Sequence, residues 1–379
     1  MAYLRGTGLA CALGADVDAC VRTLRAGQRN AAPISIEGFA ESIAPNYYRI
    51  DDGAALFDPG RLARLLPSIV ASALDAAALT GAQRRAMPVF VGSSCFSIVQ
   101  SEADYASTLA NNPADAVPLP HVGFQTIADI ARKTAGSDAP DFTFNTACTS
   151  SANALLAAQR MLAQGQIEHA LVLGVELANL TSITGFSALQ LLSDRVRPFD
   201  ARRTGIVLGE AIGAAVLSVE AGTAGAVRLR GGAANCDTHS VTTANPDGRV
   251  LATVQRDALR ICGVQAEEIC VIKAHATGTS ANDLGEVRGM RLVHTPLPPV
   301  TAFKPYLGHT LGACGVAELA LFSGALRHGF IPATVGFETI DPELDLRPLE
   351  DEMPAAAGLF QLNHFGFGGN NAVLILETR

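Results

Sequence analysis

The sequence predicts an α/β fold built from two similar halves. Three observations carry that expectation. Short apolar runs that read as buried strands alternate along the chain with amphipathic helical stretches, the order expected of α/β layers with largely parallel sheets. The stretch AVLSVE at 215–220 is echoed by AVLILE at 372–377, and LRGTGLA at 4–10 by LRGGAAN at 229–235. Hydrophobic residues are 49% of the 379-residue chain and charged residues 17%, which suits a large buried core and excludes a disordered or fibrous chain. The expected halves are 1–224 and 225–379, and two packed halves commonly place a site between them.

Taken in order, residues 2–9 read as a strand, and Asp16 to Gly27 as a helix with Val17, Val21 and Leu24 on its apolar face. Residues 30–60 are mixed in composition and read as a surface excursion. From Arg61 to Leu79, apolar residues recur at helical spacing. MPVFVG at 87–92 is a continuous apolar run, as in a strand buried on both faces. A loop is expected at 106–120, then a helix at 123–134. Further strands are expected at 169–175, 211–220, 270–273 and 299–303, with a helix at 250–262. Residues 191–209 are polar and irregular, a plausible site wall. The segment after Lys304 reads as a loop running into a helix. The end of the chain, LFQLNHFGFGGNNAVLILE, reads as strand, glycine-rich turn and strand.

Net charge is −8 and the pI about 5.5, which argues against general nucleic-acid binding. Eight scattered cysteines without a C-x-x-C pair give no zinc or thioredoxin-like pattern and suit reduced thiols in the cytoplasm. The N-terminus has no signal-peptide pattern, and no apolar run is long enough to span a bilayer.

The chain is organised around DFTFNTACTSSANALLAA, residues 141–158. A short strand hands over to a helix there, with Cys148 at the junction. Backbone N–H groups and the positive end of the helix dipole converge on such a place, lowering a thiol's pKa and offering donors to an oxyanion. The competing reading is a small buried hydrophobe. Two histidines stand in loops after strands, where α/β sheets build sites: His275 in KAHATGTSAND and His309 in KPYLGHTLGA. Lys304 stands five residues before His309. Glu286, eleven residues after His275, is its expected partner. The glycine-rich turn Phe365-Gly366-Phe367-Gly368-Gly369-Asn370-Asn371 lets the backbone approach a ligand, and a backbone N–H there could complete an oxyanion hole with that of Cys148.

With these residues in hand, the sequence resembles a β-ketoacyl-[acyl carrier protein] synthase of the elongating, Cys-His-His type, over nearly the whole chain. The motifs are TACTSS, RPFDARRTGIVLGE at 197–210, HATGT, KPYLGHTLGACG and NHFGFGGNNA, in that order. The resemblance implies a thiolase-like fold of layered αβαβα arrangement. It implies that Cys148 takes an acyl chain as a thioester, and that His275 and His309 bind the thioester carbonyl of a malonyl carrier and promote its decarboxylation. The N–H groups of Cys148 and Phe367 would hold the oxyanion. Lys304, with Glu286, would order the histidine side, and Phe365 and Phe367 would gate acyl entry. No metal or soluble cofactor is implied, because the phosphopantetheine arrives on the acyl carrier protein.

The same residues narrow the relatives. A starter-type synthase would carry asparagine at the place of His309, a thiolase a second cysteine in the C-terminal glycine turn, and a chain-length factor no nucleophile. Ala276, His364, Asn370 and Thr204 depart from the family's usual residues, which favours a polyene or polyketide pathway over general fatty-acid elongation. A homodimer, or a heterodimer with a paralogous synthase, is implied. Arg61 and Arg64 at a helix start are the candidate docking residues for the acidic carrier, with Arg84 and Arg85 as a second candidate. A non-condensing acyltransferase and a non-catalytic partner subunit are the alternatives.

Overall fold

The structure is a computed structural model, and it describes residues 2–36, 43–115, 123–222 and 227–378. Among these, ten strands form one large sheet: β1 (Ala2–Cys11), β2 (Val89–Gly92), β3 (Asp141–Phe144), β4 (His169–Glu176), β5 (Ala211–Ser218), β6 (Arg228–Cys236), β7 (Ile269–Lys273), β8 (Val300–Thr301), β9 (Gly358–Phe365) and β10 (Asn370–Thr378). Their order is β8-β7-β9-β10-β6-β1-β5-β4-β2-β3. Read outward from the centre, β6-β10-β9-β7-β8 repeats the order β1-β5-β4-β2-β3. The two sets meet through antiparallel β1 and β6. The echoed segments fall on corresponding strands, β5 with β10 and β1 with β6. The expected boundary at 224/225 lies outside the described residues.

The expectation of largely parallel sheets needs correction. The outer strands of each set run parallel. The five inner pairings are antiparallel, because β5 and β10 come back between their neighbours in the reverse direction. Apolar periodicity marks a strand as buried but carries no information on its direction.

Helices cover the sheet on both sides. Arg61–Ala77 lies on β1 and β5, and Arg249–Cys262 on β6 and β10. Ser150–Ala163 and Cys314–Arg327 pack against each other in the middle. Strand residues therefore alternate between two cores. In β4, Leu171, Leu173 and Val175 face the outer helices while Ala170 and Val172 face the middle; in β10, Val373 and Ile375 face out while Leu374 and Leu376 face in. Burial on both faces is why these strands read as unbroken apolar runs. The middle layer is tight. A Cβ on Gly315 would lie 2.2 Å from the backbone nitrogen of Ala152, so the two central helices touch backbone to backbone there.

Two local expectations differ from the structure. Ile98–Asn111 is a helix, so 106–111 is not loop. Its polar exposed face hid the periodicity, and it stops just before Pro113, as the restriction on residues preceding proline requires. Residues 116–120 lie outside the described set. Within 30–60, Tyr47, Tyr48 and Ile50 are buried. The Tyr48 hydroxyl donates to the carbonyl of Pro305 at 2.6 Å, so this segment packs beneath the Lys304 region and is more than a surface excursion.

Candidate active site

Cys148 sits between β3 and the helix Ser150–Ala163, and it is 4% exposed. The small hydroxyl-bearing residues around it tie the turn. Ser150 Oγ donates to the Ala147 carbonyl at 2.6 Å and accepts from the Thr146 N–H at 2.9 Å; Thr149 Oγ1 donates to the Thr146 carbonyl at 2.7 Å. Ala147 has φ of 52°, a left-handed conformation that strains a residue with a Cβ by about 1–2 kcal/mol. That bend turns the thiol toward the glycine turn of residues 366–369. A Cβ on Gly366 would lie 3.2 Å from the Cys148 nitrogen, a tight contact that would press the two backbones a few tenths of an ångström apart. The backbone N–H groups of Phe367 and of Cys148 itself both point at the thiol. Burial nevertheless dominates and pushes the thiol up to about 11, against the lowering expected from a helix start.

His275 follows β7. The next residue, Ala276, has φ of 51°, where the family's usual glycine would be unstrained. Glu286 holds this bend: its carboxylate accepts the N–H groups of His275 and Ala276, each at 2.8 Å, and the Asn363 amide at 3.2 Å. His309 donates its backbone N–H to the Val207 carbonyl at 2.8 Å. The two imidazoles stand edge to face with centroids 5.3 Å apart. Burial first, and Lys304 next, hold both well below the ordinary histidine range, so both are neutral. The Leu311 N–H points at His309 Nδ1 (3.2 Å) and the Lys304 ammonium at His275 Nδ1 (3.2 Å). With Nδ1 accepting in each ring, the hydrogen-bond network assigns the proton to Nε2.

Cys148, His275, His309, Phe365 and Phe367 line one cavity of about 300 Å³. Phe365 is buried with its ring 6.2 Å from that of His275, while half-buried Phe367 stacks on Phe186 at 5.4 Å. Thr204, Ser240, Thr242, Thr277 and Thr279 also line the cavity, beside apolar Leu191 and Ile206.

Two expectations are corrected. Lys304 does not pair with Glu286: its ammonium lies 3.1 Å from Glu318 Oε1. Glu286 is committed to backbone N–H groups, and Glu318 projects from the helix that follows His309. Arg61 is not a docking residue. It is 1% exposed and forks onto Glu210 at 2.5 and 2.8 Å, with Asp52 at 2.8 Å. Helix periodicity places Arg61 on the inner face, and only the fold reveals the buried carboxylate waiting there. Arg64, on the outer face, is half exposed and paired with Asp58 at 2.6 Å. Of the second candidate pair, Arg85 is exposed and Arg84 half-buried.

Sequence reasoning missed Glu318, Lys273, Phe186 and Asp283. Glu318 was findable as a lone charge in the apolar helix CGVAELALFSGAL. Asp283 accepts the N–H groups of Phe199 and Gly278, which binds the RPFD segment to the HATGT loop. Asp200 of RPFD accepts from Arg202, Glu338 and Thr339, so these motif residues hold loops together. Among the described residues, no cluster of metal-ligating side chains is present, and no helix is long and apolar enough to cross a membrane.

Residues 6–221 match the N-terminal domain of β-ketoacyl synthases, and residues 226–338 the C-terminal domain. The chain is 26% identical to the chloroplastic 3-oxoacyl-[acyl-carrier-protein] synthase I of Hordeum vulgare, over 98% of this chain and 88% of that one. It is 32% identical to 3-oxoacyl-[acyl-carrier-protein] synthase 2 of Synechocystis, over 64% of this chain and 62% of that one. Among solved structures, a ketosynthase in complex with its chain length factor from Xenorhabdus doucetiae superposes with a TM-score of 0.85 at 27% identity, covering 100% of this chain and 98% of that one. The ishigamide ketosynthase/chain length factor gives 0.86 at 28% identity, covering 100% and 99%. With its mixed α/β layers matching thiolase-like ketosynthases, the chain belongs to the β-ketoacyl synthase family, the condensing acyltransferases of fatty acid and polyketide synthesis.

Proposed function

We propose that this protein elongates an acyl chain held on Cys148 with malonyl units delivered by an acyl carrier protein. The observation that carries the reading is the convergence of one thiol, two neutral Nε2–H imidazoles and the Phe367 N–H on a single cavity. In the first half-reaction the Cys148 sulfur attacks the thioester carbonyl of an acyl carrier. The oxyanion is held by the N–H groups of Cys148 and Phe367. Collapse breaks the bond to the carrier's sulfur, which leaves as the thiol with the proton Cys148 gave up. In the second, the Nε2–H groups of His275 and His309 hold the thioester oxygen of a malonyl carrier. The bond to the carboxylate breaks, carbon dioxide leaves, and the electron pair moves into an enolate stabilised by the same two donors. The enolate carbon attacks the acyl-Cys148 carbonyl, the carbon–sulfur bond breaks, and the β-ketoacyl carrier departs as the thiol is reprotonated.

No resident cofactor is needed for these steps, since the phosphopantetheine belongs to the carrier. Phe367 with Phe186 forms the gate, Phe365 backs His275, and Lys304 orders the His275 ring. Arg64 remains the docking candidate. Relatives of 27% and 28% identity are ketosynthases described with chain length factors, which favours a paired assembly in a polyketide or polyene pathway. The edge strand β3, with Phe142 exposed, is a surface that a partner would cover. The proposed setting is the cytoplasm.

Intact-mass analysis with a panel of acyl carriers tests the reading. The expected result is one acyl adduct on the wild-type protein, none on Cys148→Ala, and an adduct retained by His309→Ala. Acylation of Cys148→Ala at the wild-type level would overturn the assignment.

A further inference from the structure

Behind the two histidines lies a buried group of charges of which the steps above use only Lys304. Glu318 is one carboxylate held by two ammoniums: Lys273 Nζ sits on Oε2 and Lys304 Nζ lies 3.1 Å from Oε1. Lys273 also donates to the Asn363 carbonyl at 2.8 Å, and the Asn363 amide donates to Glu286. Lys273, Lys304, Glu286 and Glu318 are each no more than 1% exposed. Next to them His364 is fully buried, neither ring nitrogen has a hydrogen-bond partner, and Nδ1 lies 3.8 Å from Glu318 Oε2.

The group holds two carboxylates and two ammoniums. With Lys304 alone, ionised Glu286 and Glu318 would leave an excess negative charge in the interior. Buried excess charge is relieved by protonating whichever nearby group accepts most readily. Here those groups are the imidazoles and Glu286 itself, whose carboxyl burial pushes up. The charged and titratable groups around His275 are Lys273 at the end of β7, Lys304 and His309 from the following segment, His364 from β9, Glu318 from the Cys314–Arg327 helix, and Glu286 beneath its backbone. A proton on His275 Nδ1 would break the bond from Lys304 and set an N–H against an ammonium, so the ring would turn away.

We infer that Lys273 is a positioning residue of the condensing site: by sharing Glu318 with Lys304 it balances the second buried carboxylate and keeps His275 neutral, with its Nε2–H aimed into the cavity. The positive charge of Lys273 also lies among the causes that hold His275 and His309 low. The catalytic consequence rests on the condensation reading; the state of the ring does not.

Histidine-selective NMR on the full chain reads the ring directly, and carbon dioxide release from malonyl carrier reads the consequence. In Lys273→Met the His275 titration moves up by about one pH unit or more. At mildly acidic pH, decarboxylation falls about tenfold while acylation of Cys148 stays within about twofold. Lys273→Arg restores both. The double variant Lys273→Met with Glu318→Gln removes one charge of each sign and returns His275 to its neutral state. A His275 ring that titrates in Lys273→Met as in the wild type overturns the inference, as does loss of acylation and decarboxylation in equal measure. If the single variant does not fold, the double variant decides: His275 titrating near its ordinary value there overturns the inference. A His275 shift in a protein that releases no carbon dioxide supports the inference and refutes the condensation reading alone.

Discussion

Glu286→Gln is the perturbation whose size can be worked from the geometry. The Glu286 carboxylate accepts two backbone N–H groups, those of His275 and Ala276, with one oxygen each. Glutamine keeps the shape but offers one carbonyl oxygen, so one buried N–H must face an amide NH2. A buried donor left unpaired costs about 1–3 kcal/mol. Ala276 adds strain to the same bend through its left-handed φ. The loop therefore relaxes, and the fraction of molecules with His275 in place falls by about 5- to 150-fold. Decarboxylation of malonyl carrier should fall by that factor. Acyl loading of Cys148, on the other side of the cavity, should hold to within a few-fold. Adding Ala276→Gly relieves about 1 kcal/mol of strain and should restore about fivefold. Loading and decarboxylation falling together, or no change in either, would refute the view that Glu286 acts by holding the His275 backbone.

Other outcomes follow from the same contacts. Arg61→Met leaves Glu210 buried without its guanidinium and should cost about 3–5 kcal/mol in chemical denaturation, whereas Arg64→Ala should leave stability unchanged and raise only the carrier's KM; a reversed pattern would reinstate Arg61 as a docking residue. His275, His309 and His364 are held neutral by burial, so the unfolded chain takes up protons first as pH falls below about 6.5. Stability is then fully present above that pH and lost progressively below it, with a share from each ring. His364→Ser should remove one such share, and an unchanged pH slope in that variant would contradict the account. The Cys148 thiol, pushed up to about 11, should react with iodoacetamide about tenfold faster per pH unit from 7 to 9; a plateau near neutrality would mean the helix start outweighs burial.

Much of the site was legible because its residues follow short buried strands at fixed spacing. Cys148, His275, Lys304 and His309 each stand where an apolar run ends, and the fold brings three of them onto one cavity with Lys304 directly behind. The strand runs were legible too, since burial on both faces leaves an unbroken apolar signature. Strand direction was not, because periodicity is the same forward and backward. Ion-pair partners were not legible either. Arg61 and Glu210 are 149 residues apart, and Lys273 and Glu318 are 45 apart. Which face of a helix an arginine occupies can be read from spacing; which carboxylate meets it cannot. His364 and Ala276 were visible as departures from the family's usual residues. Their meaning, an unpartnered buried ring and a strained bend pinned by Glu286, came only with the packing.

The central claim is that one cavity couples acyl transfer to Cys148 with decarboxylation between His275 and His309. Its most direct test is the stoichiometry of carbon dioxide to β-ketoacyl carrier, with acyl-loaded protein and radiolabelled malonyl carrier. The account predicts one carbon dioxide released for each β-ketoacyl product, and neither formed by His309→Ala although Cys148 still loads. Acyl transfer to another acceptor from the wild-type protein, with no carbon dioxide released, would contradict it.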